Sequence, residues 1–315
     1  MPTPDLQARD LPFDPLRTEL YSPDELLSGS DGTLESTRDY AIYQHFSTFG
    51  RRNPSRNEAY VERLHDWSID EALRRFLAES SPVGGSRETT LVAVMGGHGK
   101  SRSSSEYRCV AQLSHELAHC GITVASGGGP GIMEATNLGA SLASYPLEAV
   151  DEALALLSVE NDYRKPEYLR AARQVLERFP IRTPSLAVPT WFYGHEPTNL
   201  FGTAIAKYFS NGLREDTLLA IAKGGVVFAP GKAGTWQEIF MDLAQNFYKT
   251  FDVVSPMVFL GRDHYESETG ILPVIRKLVS LSPNADELAS MLHVTDDALE
   301  AVAFLRECAR SKPTP

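Results

Sequence analysis

The stretch Ile122-Thr123-Val124-Ala125-Ser126-Gly127-Gly128-Gly129-Pro130-Gly131-Ile132-Met133-Glu134-Ala135 decides the fold. A short apolar run enters a glycine loop and leaves as a helix that starts near Pro130 or Gly131, where proline is tolerated because a first-turn N–H has no intrahelical partner. Consecutive glycines let backbone N–H groups approach an anion at the positive end of that helix. The same unit recurs twice. Leu91–Met95 runs into Gly96-Gly97-His98-Gly99, and Gly225–Ala229 runs into Pro230-Gly231-Lys232-Ala233-Gly234-Thr235-Trp236-Gln237-Glu238. Further apolar runs stand at Leu186–Phe192, Pro256–Leu260 and Leu292–Thr295, with helical stretches between. Short apolar runs alternating with helices are the pattern of strands buried on both faces, so the chain is expected to be α/β, a doubly wound parallel sheet of about six or seven strands with helices on both faces.

The flanking sequence is read against that core. Between the second and third strands, residues 141–184 carry Leu147–Leu157 and Tyr168–Phe179, which read as inserted helices, because strands of that length are exceptional. Before the sheet, Pro2, Pro4, Pro12, Pro15 and Pro23 punctuate an irregular arm. Tyr60–Leu77 then sets Val61, Leu64, Trp67, Ile69, Leu73, Phe76 and Leu77 near helical spacing, with a break expected at Ser68-Ile69-Asp70. Ser80–Ser86 reads as a linker. The expected organisation is an N-terminal arm with a mainly helical extension over 1–85 and a nucleotide-binding domain over 86–315.

The 315 residues are 42% hydrophobic and 23% charged, and the net charge of −11 excludes a basic protein that coats nucleic acid. No apolar run approaches the roughly 20 residues of a membrane span, and no secretion signal is visible. Cys109, Cys120 and Cys308 have no CxxC spacing and no histidine at ligand spacing, which fits a reducing compartment and speaks against zinc. A cytoplasmic protein is expected, with no metal, no cofactor, no membrane and no nucleic-acid polymer as partner.

The three glycine loops lie where the strands of a parallel sheet end, the edge at which such sheets bind ligands. In the first, Gly96 and Gly97 either shape a tight turn or meet a ligand, and His98 has the same two readings. Glu134, one turn into its helix, either complements the helix dipole or touches ligand. Thr235-Trp236-Gln237-Glu238 has the form of a capping box, which accounts for Thr235 and Glu238 but not for three glycine loops on one edge. None of the loops matches G-x-x-x-x-G-K-[ST]. The dinucleotide pattern G-x-G-x-x-G also fails, since Arg102 stands at its last position and the acid about 20 residues on, Glu116, falls inside a helix instead of at a strand end. A hydride-transfer enzyme is therefore disfavoured.

Together, Gly127-Gly128-Gly129-Pro130-Gly131-Ile132-Met133-Glu134-Ala135 and Pro230-Gly231-Lys232-Ala233-Gly234-Thr235-Trp236-Gln237-Glu238 resemble the paired GGGxxGxM and PGGxGTxxE motifs of the LOG (Lonely Guy) family. Members of that family are nucleoside 5′-monophosphate phosphoribohydrolases, formerly labelled lysine decarboxylases, with a Rossmann-like fold. They release purine, pyrimidine or cytokinin bases. His195-Glu196-Pro197-Thr198-Asn199, Lys207-Tyr208-Phe209 and Leu213-Arg214 resemble the family segment that precedes the second motif. The resemblance spans about residues 90 to 305 and implies Arg214 and Glu238 as catalytic residues. It also implies a homodimer or larger homo-oligomer whose partner completes the site. Two positions depart from the family: Lys232 replaces the second glycine of PGG, and Glu215 follows Arg214 where a second cation is expected.

On this resemblance, N–H groups of Gly128, Gly129, Gly131, Gly234 and Thr235 hold the 5′-phosphate, Met133 and Gly231 belong to the same phosphate- and nucleotide-binding set, and Lys232 either reshapes its loop or adds a cation near the phosphate. Glu196 and Asn199 either reach the ribose hydroxyls or hydrogen-bond within their loop. Cleavage of an N-glycosidic bond passes through an oxocarbenium-like centre, which a carboxylate near C1′ stabilises, and Glu238 is matched to that role. Its position near a helix N-terminus is expected to keep it ionised. Arg214 meets either the phosphate or the leaving base. Two other readings stand beside this one: a Rossmann-like sensor or carrier that binds without cleaving, and a pyridoxal-phosphate decarboxylase, for which the sequence offers no distinctive lysine context.

Overall fold

The computed structural model describes residues 11–79 and 90–311. The linker at Ser80–Ser86, the boundary at residue 85, and Pro2 and Pro4 lie outside the described residues. The chain runs α1 (Pro23–Leu26), α2 (Arg38–His45), a π-helical turn at Phe46–Gly50, α3 (Arg56–Glu79), β1 (Leu91–Met95), α4 (Ser105–His119), β2 (Thr123–Ser126) and α5 (Ile132–Ser141). It continues through α6 (Glu148–Leu157), α7 (Pro166–Arg178), β3 (Leu186–Ala187), β4 (Ala204–Ile205), α8 (Asn211–Ile221), β5 (Gly225–Phe228), α9 (Ala233–Phe247) and β6 (Met257–Leu260). After a second π-helical turn, His264–Glu268, come α10 (Ile271–Val279), α11 (Ala285–Ser290), β7 (Leu292–Thr295) and α12 (Ala298–Ser311).

The strands form a seven-stranded parallel sheet in the order β4-β3-β2-β1-β5-β6-β7. Alternate residues of each strand face opposite layers. Leu91, Ala93 and Met95 pack in one core cluster with Phe228 and Phe259, whereas Val92 and Val94 pack in the other with Val227 and Val258. This is the Rossmann-like, doubly wound α/β fold. Because β1 is central and the chain moves outward first on one side and then on the other, the strand order reverses between β1 and β5. A crevice at such a reversal is where these sheets bind ligands.

Four details depart from the sequence reading. The α3 helix is continuous through Ser68-Ile69-Asp70, since Ile69 is fully buried on the core side and the Ser68 hydroxyl donates outward to the Pro15 carbonyl at 3.1 Å. The third strand spans two residues instead of Leu186–Phe192, because Pro189 has no N–H to give a ladder; beyond it only a single bridge, Thr190 to Tyr208, continues the pairing. The strand β4 had not been anticipated, two residues being too short to show a period. The capping box is not formed either: α9 starts at Ala233, with Lys232 as N-cap, so Thr235 and Glu238 lie inside the helix.

The N-terminal elements cover the sheet. Phe13, Tyr21, Leu26, Ile42, Phe46, Val61, Ile69 and Leu73 share a cluster with β1, β5 and β6 residues. Tyr21 exchanges two 2.9 Å backbone hydrogen bonds with Ile205, which shields the exposed edge of β4.

Candidate functional site

The loops after β1, β2 and β5 are tied together at the reversal point. Gly97 is the junction: its N–H donates to the Pro230 carbonyl (3.3 Å), and its own carbonyl accepts from the Ile132 N–H (3.2 Å). Gly131 has φ +68°, and a Cβ there would fall 2.5 Å from the His98 carbonyl oxygen, so only glycine fits between the two loops. Gly96 and Gly231 lie equally close to neighbours. A Cβ on Gly96 would meet Ile132 at 2.6 Å, and one on Gly231 would meet the Thr235 hydroxyl at 2.1 Å.

Asn199 clamps the second loop. Its N–H donates to the Gly128 carbonyl (2.9 Å) and its Nδ2 to the Gly129 carbonyl (3.2 Å) and to Asn137 Oδ1 (3.0 Å), while its Oδ1 accepts from the Phe201 and Gly202 amides. The buried Asn199 amide is thus spent within the protein rather than offered to a ribose. In a trans peptide the C=O and the following N–H point in opposite directions. With the Gly128 carbonyl drawn to Asn199, the Gly129 N–H points the other way. The Gly128 N–H itself donates to Ser126 Oγ at 3.0 Å and so is engaged inside the loop.

Glu134 does not face the crevice. It is 1% exposed, takes a two-pronged ion pair from Arg102 (Nε to Oε2 2.8 Å, Nη2 to Oε1 2.6 Å), and accepts from the Tyr107 and Tyr168 hydroxyls at 2.8 and 2.7 Å. Both carboxylate oxygens are engaged inside the protein, Oε2 by three donors and Oε1 by one. The sequence reading missed Arg102 as its partner, although it closes the first glycine loop. Met133 packs beneath the second loop, its Sδ and Cε filling the space where Gly127 and Gly129 would carry side chains. Glu196 sits at the rim, 31% exposed, with His98 Nδ1 4.0 Å away.

Arg214 and Glu238 are brought together. From the first turn of α8 and the second turn of α9, Arg214 Nη1 reaches Glu238 Oε1 at 3.3 Å, and the guanidinium lies against Gly127. Arg214 Nη2 donates to Asn211 Oδ1 at 2.7 Å and lies 3.4 Å from Glu215 Oε1. Asn211 was not read from the sequence, and its place one turn before Arg214 is the signal that was available. The pair is buried, Arg214 at 8% and Glu238 at 9% exposure. Glu238 was expected to stay ionised at a helix N-terminus. It is the sixth residue of α9, beyond the first turn in which the dipole acts; burial pushes its carboxyl up to about 7, against the opposing charge of Arg214. Lys232 has φ −117°, which any residue adopts, and its side chain is exposed beside exposed Ala233 and Gly234 at the start of α9. Its departure from glycine costs no backbone strain.

Of the aromatic candidates, Trp191 is core, its Nε1 donating to Asp39 at 2.8 Å, whereas Phe192 and Tyr193 emerge at the surface. Among the described residues no group of three or more His, Cys, Asp or Glu is arranged to hold a metal ion, and no helix is long and apolar enough to cross a membrane.

No protein-family model matches the chain, and no curated protein matches it. Among solved structures it is similar to the molybdenum cofactor carrier protein of Chlamydomonas reinhardtii, with 17% identity over 71% of this chain and 99% of that one at a TM-score of 0.43. It is also similar to the molybdenum cofactor binding protein of the phototrophic bacterium Rippkaea orientalis, with 12% identity over 70% and 98% and a TM-score of 0.43.

Proposed function

We propose that this chain binds a nucleoside 5′-monophosphate at the three glycine loops and hydrolyses its N-glycosidic bond, giving free base and ribose 5-phosphate. The observation that carries this reading is the buried Arg214–Glu238 pair, set against the second glycine loop at the strand-order reversal. A carboxyl held at about 7 is divided between its two forms near neutral pH, which suits a group that takes a proton from water and later returns it. In the ionised form Glu238 stabilises positive charge at C1′ and accepts a proton from the attacking water. The water oxygen bonds to C1′, the C1′–N bond breaks, and the departing base takes its proton from solvent. The exposed start of α9, the Gly129 N–H and Lys232 supply donors for the phosphate.

A second reading, a carrier or sensor that binds a phosphorylated ligand without cleaving it, draws on Glu215. With Glu238 and Glu215 both beside it, the Arg214 charge is already met by carboxylates. Incubation with a panel of nucleoside 5′-monophosphates, including isopentenyladenosine monophosphate, separates the two. Release of base and ribose 5-phosphate that Glu238→Gln abolishes supports hydrolysis; binding without release, in wild type and variant alike, supports the carrier.

A further inference from the structure

An open cavity of about 430 Å³ lies next to Arg214, and no residue of the three glycine loops lines it. Its volume falls within the roughly 300–1,000 Å³ of small-molecule sites. Its walls come from the N-terminal helices on one side (Phe46, Arg51, Glu62, Arg63) and from Phe192 and Asn211 on the other. Asn211 is the partition: it lines the cavity, and its Oδ1 holds Arg214 Nη2. The cavity therefore adjoins the Arg214–Glu238 pair through a single side chain.

Glu62 is the acid of the cavity wall. The residue is 9% exposed, and its Oε1 is buried with no hydrogen-bond partner among the described residues. That oxygen abuts Gly50, where a Cβ would fall 1.7 Å from it. Burial, with Glu58 and Asp66 nearby, pushes the carboxyl up to about 8, so at neutral pH it carries a proton and can donate. Oε1 is sealed against Gly50, so it is the remainder of the Glu62 side chain that lines the cavity. Phosphate is a poor occupant beside Glu62, because the charges of Glu58 and Asp66 act on that carboxyl from behind the wall. A cation is opposed by the exposed Arg51 and Arg63 at the cavity's edge. A neutral planar ring with acceptor atoms on its edge meets neither objection, and the rings of Phe46 and Phe192 offer it apolar contact.

We propose that this cavity receives the heteroaromatic base of the nucleotide, with Glu62 donating to a ring nitrogen or carbonyl oxygen and Phe192 packing against the ring. The assignment rests on the nucleotide reading above and adds the N-terminal extension to the site as the part that selects the base.

The test is calorimetric titration of the full chain with adenine and, separately, with ribose 5-phosphate, for wild type, Glu62→Leu and Phe192→Ala. Phe192 is half-exposed, so its variant keeps the fold if Glu62→Leu does not. Adenine affinity is expected to fall by about tenfold or more in both variants, with ribose 5-phosphate binding unchanged. Adenine that binds all three proteins equally, or none of them, overturns the proposal. Competition between adenine and an intact nucleoside monophosphate supports one continuous site; simultaneous binding of both assigns the cavity to a separate ligand and overturns it. Glu62-dependent adenine binding without nucleotide cleavage leaves the base site standing while hydrolysis falls. Cleavage with kcat/KM unchanged in both variants does the reverse.

Discussion

Replacing Glu134 by leucine tests whether this motif carboxylate is architecture or ligand contact. In the wild type, Arg102 and Glu134 are each 1% exposed at the side chain and form a two-pronged pair, with the Tyr107 and Tyr168 hydroxyls completing the carboxylate's hydrogen bonds. Removing one member of a buried pair leaves the other charge uncompensated, at a cost of about 3–5 kcal/mol. The two phenols, which lose their acceptor, add about 1 kcal/mol each. Arg102 keeps the Tyr168 carbonyl at 3.1 Å and its cation–π contact with the Tyr168 ring, so the lower half of the range is expected for the pair itself. Urea unfolding followed by circular dichroism should show Glu134→Leu destabilised by about 5–6 kcal/mol in total. The double variant Arg102→Met/Glu134→Leu should recover much of that loss, because no buried charge is then left alone. A Glu134→Leu protein within about 1 kcal/mol of wild type refutes the reasoning. So does a double variant no more stable than the single one. A loss of ribose 5-phosphate affinity at unchanged stability would return Glu134 to the ligand.

Three further outcomes are expected. The folded Glu238 carboxyl sits at about 7, above its unfolded value near 4.5, so the folded state keeps a proton that the unfolded chain releases. Stability should therefore fall as pH rises from about 4.5 to 7, by up to about 3 kcal/mol, and Glu238→Gln should flatten that part of a pH series of unfolding curves. Lys207 is fully buried, donates to Asp39 and Thr198 at 2.9 Å, and holds Asp39 down to about 2 against the cost of burial; Lys207→Met should cost about 3–5 kcal/mol in urea unfolding, and Asp39→Asn/Lys207→Met less. Gly139→Ala would set a Cβ 1.9 Å from the Ala111 carbonyl oxygen where α5 crosses α4, and a loss of about 2 kcal/mol or more in thermal or chemical unfolding is expected.

What the sequence made legible followed from period and loop chemistry. The β1, β5 and β6 strands are unbroken apolar runs, β2 and β7 are shorter runs interrupted or flanked by polar residues, and the helices α6 and α7 were visible as stretches too long for strands. The β3–β4 region was not legible, because Pro189 ends one ladder and two-residue strands have no period. At the site, the glycine loops and the Arg214–Glu238 pairing came through because the chemistry of a glycine at a close approach is local. The roles of Glu134 and Asn199 did not. Whether a carboxylate or an amide faces a ligand depends on partners such as Arg102, Tyr168 and Asn137, which stand 32 to 62 positions away and are invisible to a motif. The reversed expectation for Glu238 has the same origin: a shift of three residues in the N-cap of α9, from Thr235 to Lys232, took it out of the first turn, and burial then set its charge.

The N-terminal helices also decide where an anion can sit. Asp66 of α3 accepts from the Phe209 and Ser210 amides at 2.9 Å each, and Tyr208 donates to Asp70, so a carboxylate already occupies the positive end of α8. At α5 the first helical amide, that of Ile132, is bonded to the Gly97 carbonyl. The start of α9, with exposed Ala233, Gly234 and Lys232, is the helix end at the crevice that stays open to solvent. On the proposed nucleotide reading, this gives the ligand a direction: phosphate toward α9 and the Gly129 N–H, ribose across the Arg214–Glu238 pair, and base beyond Asn211 toward Glu62. On that reading the extension contributes in two ways, by setting Asp66 at the start of α8 and by forming the wall proposed to meet the base.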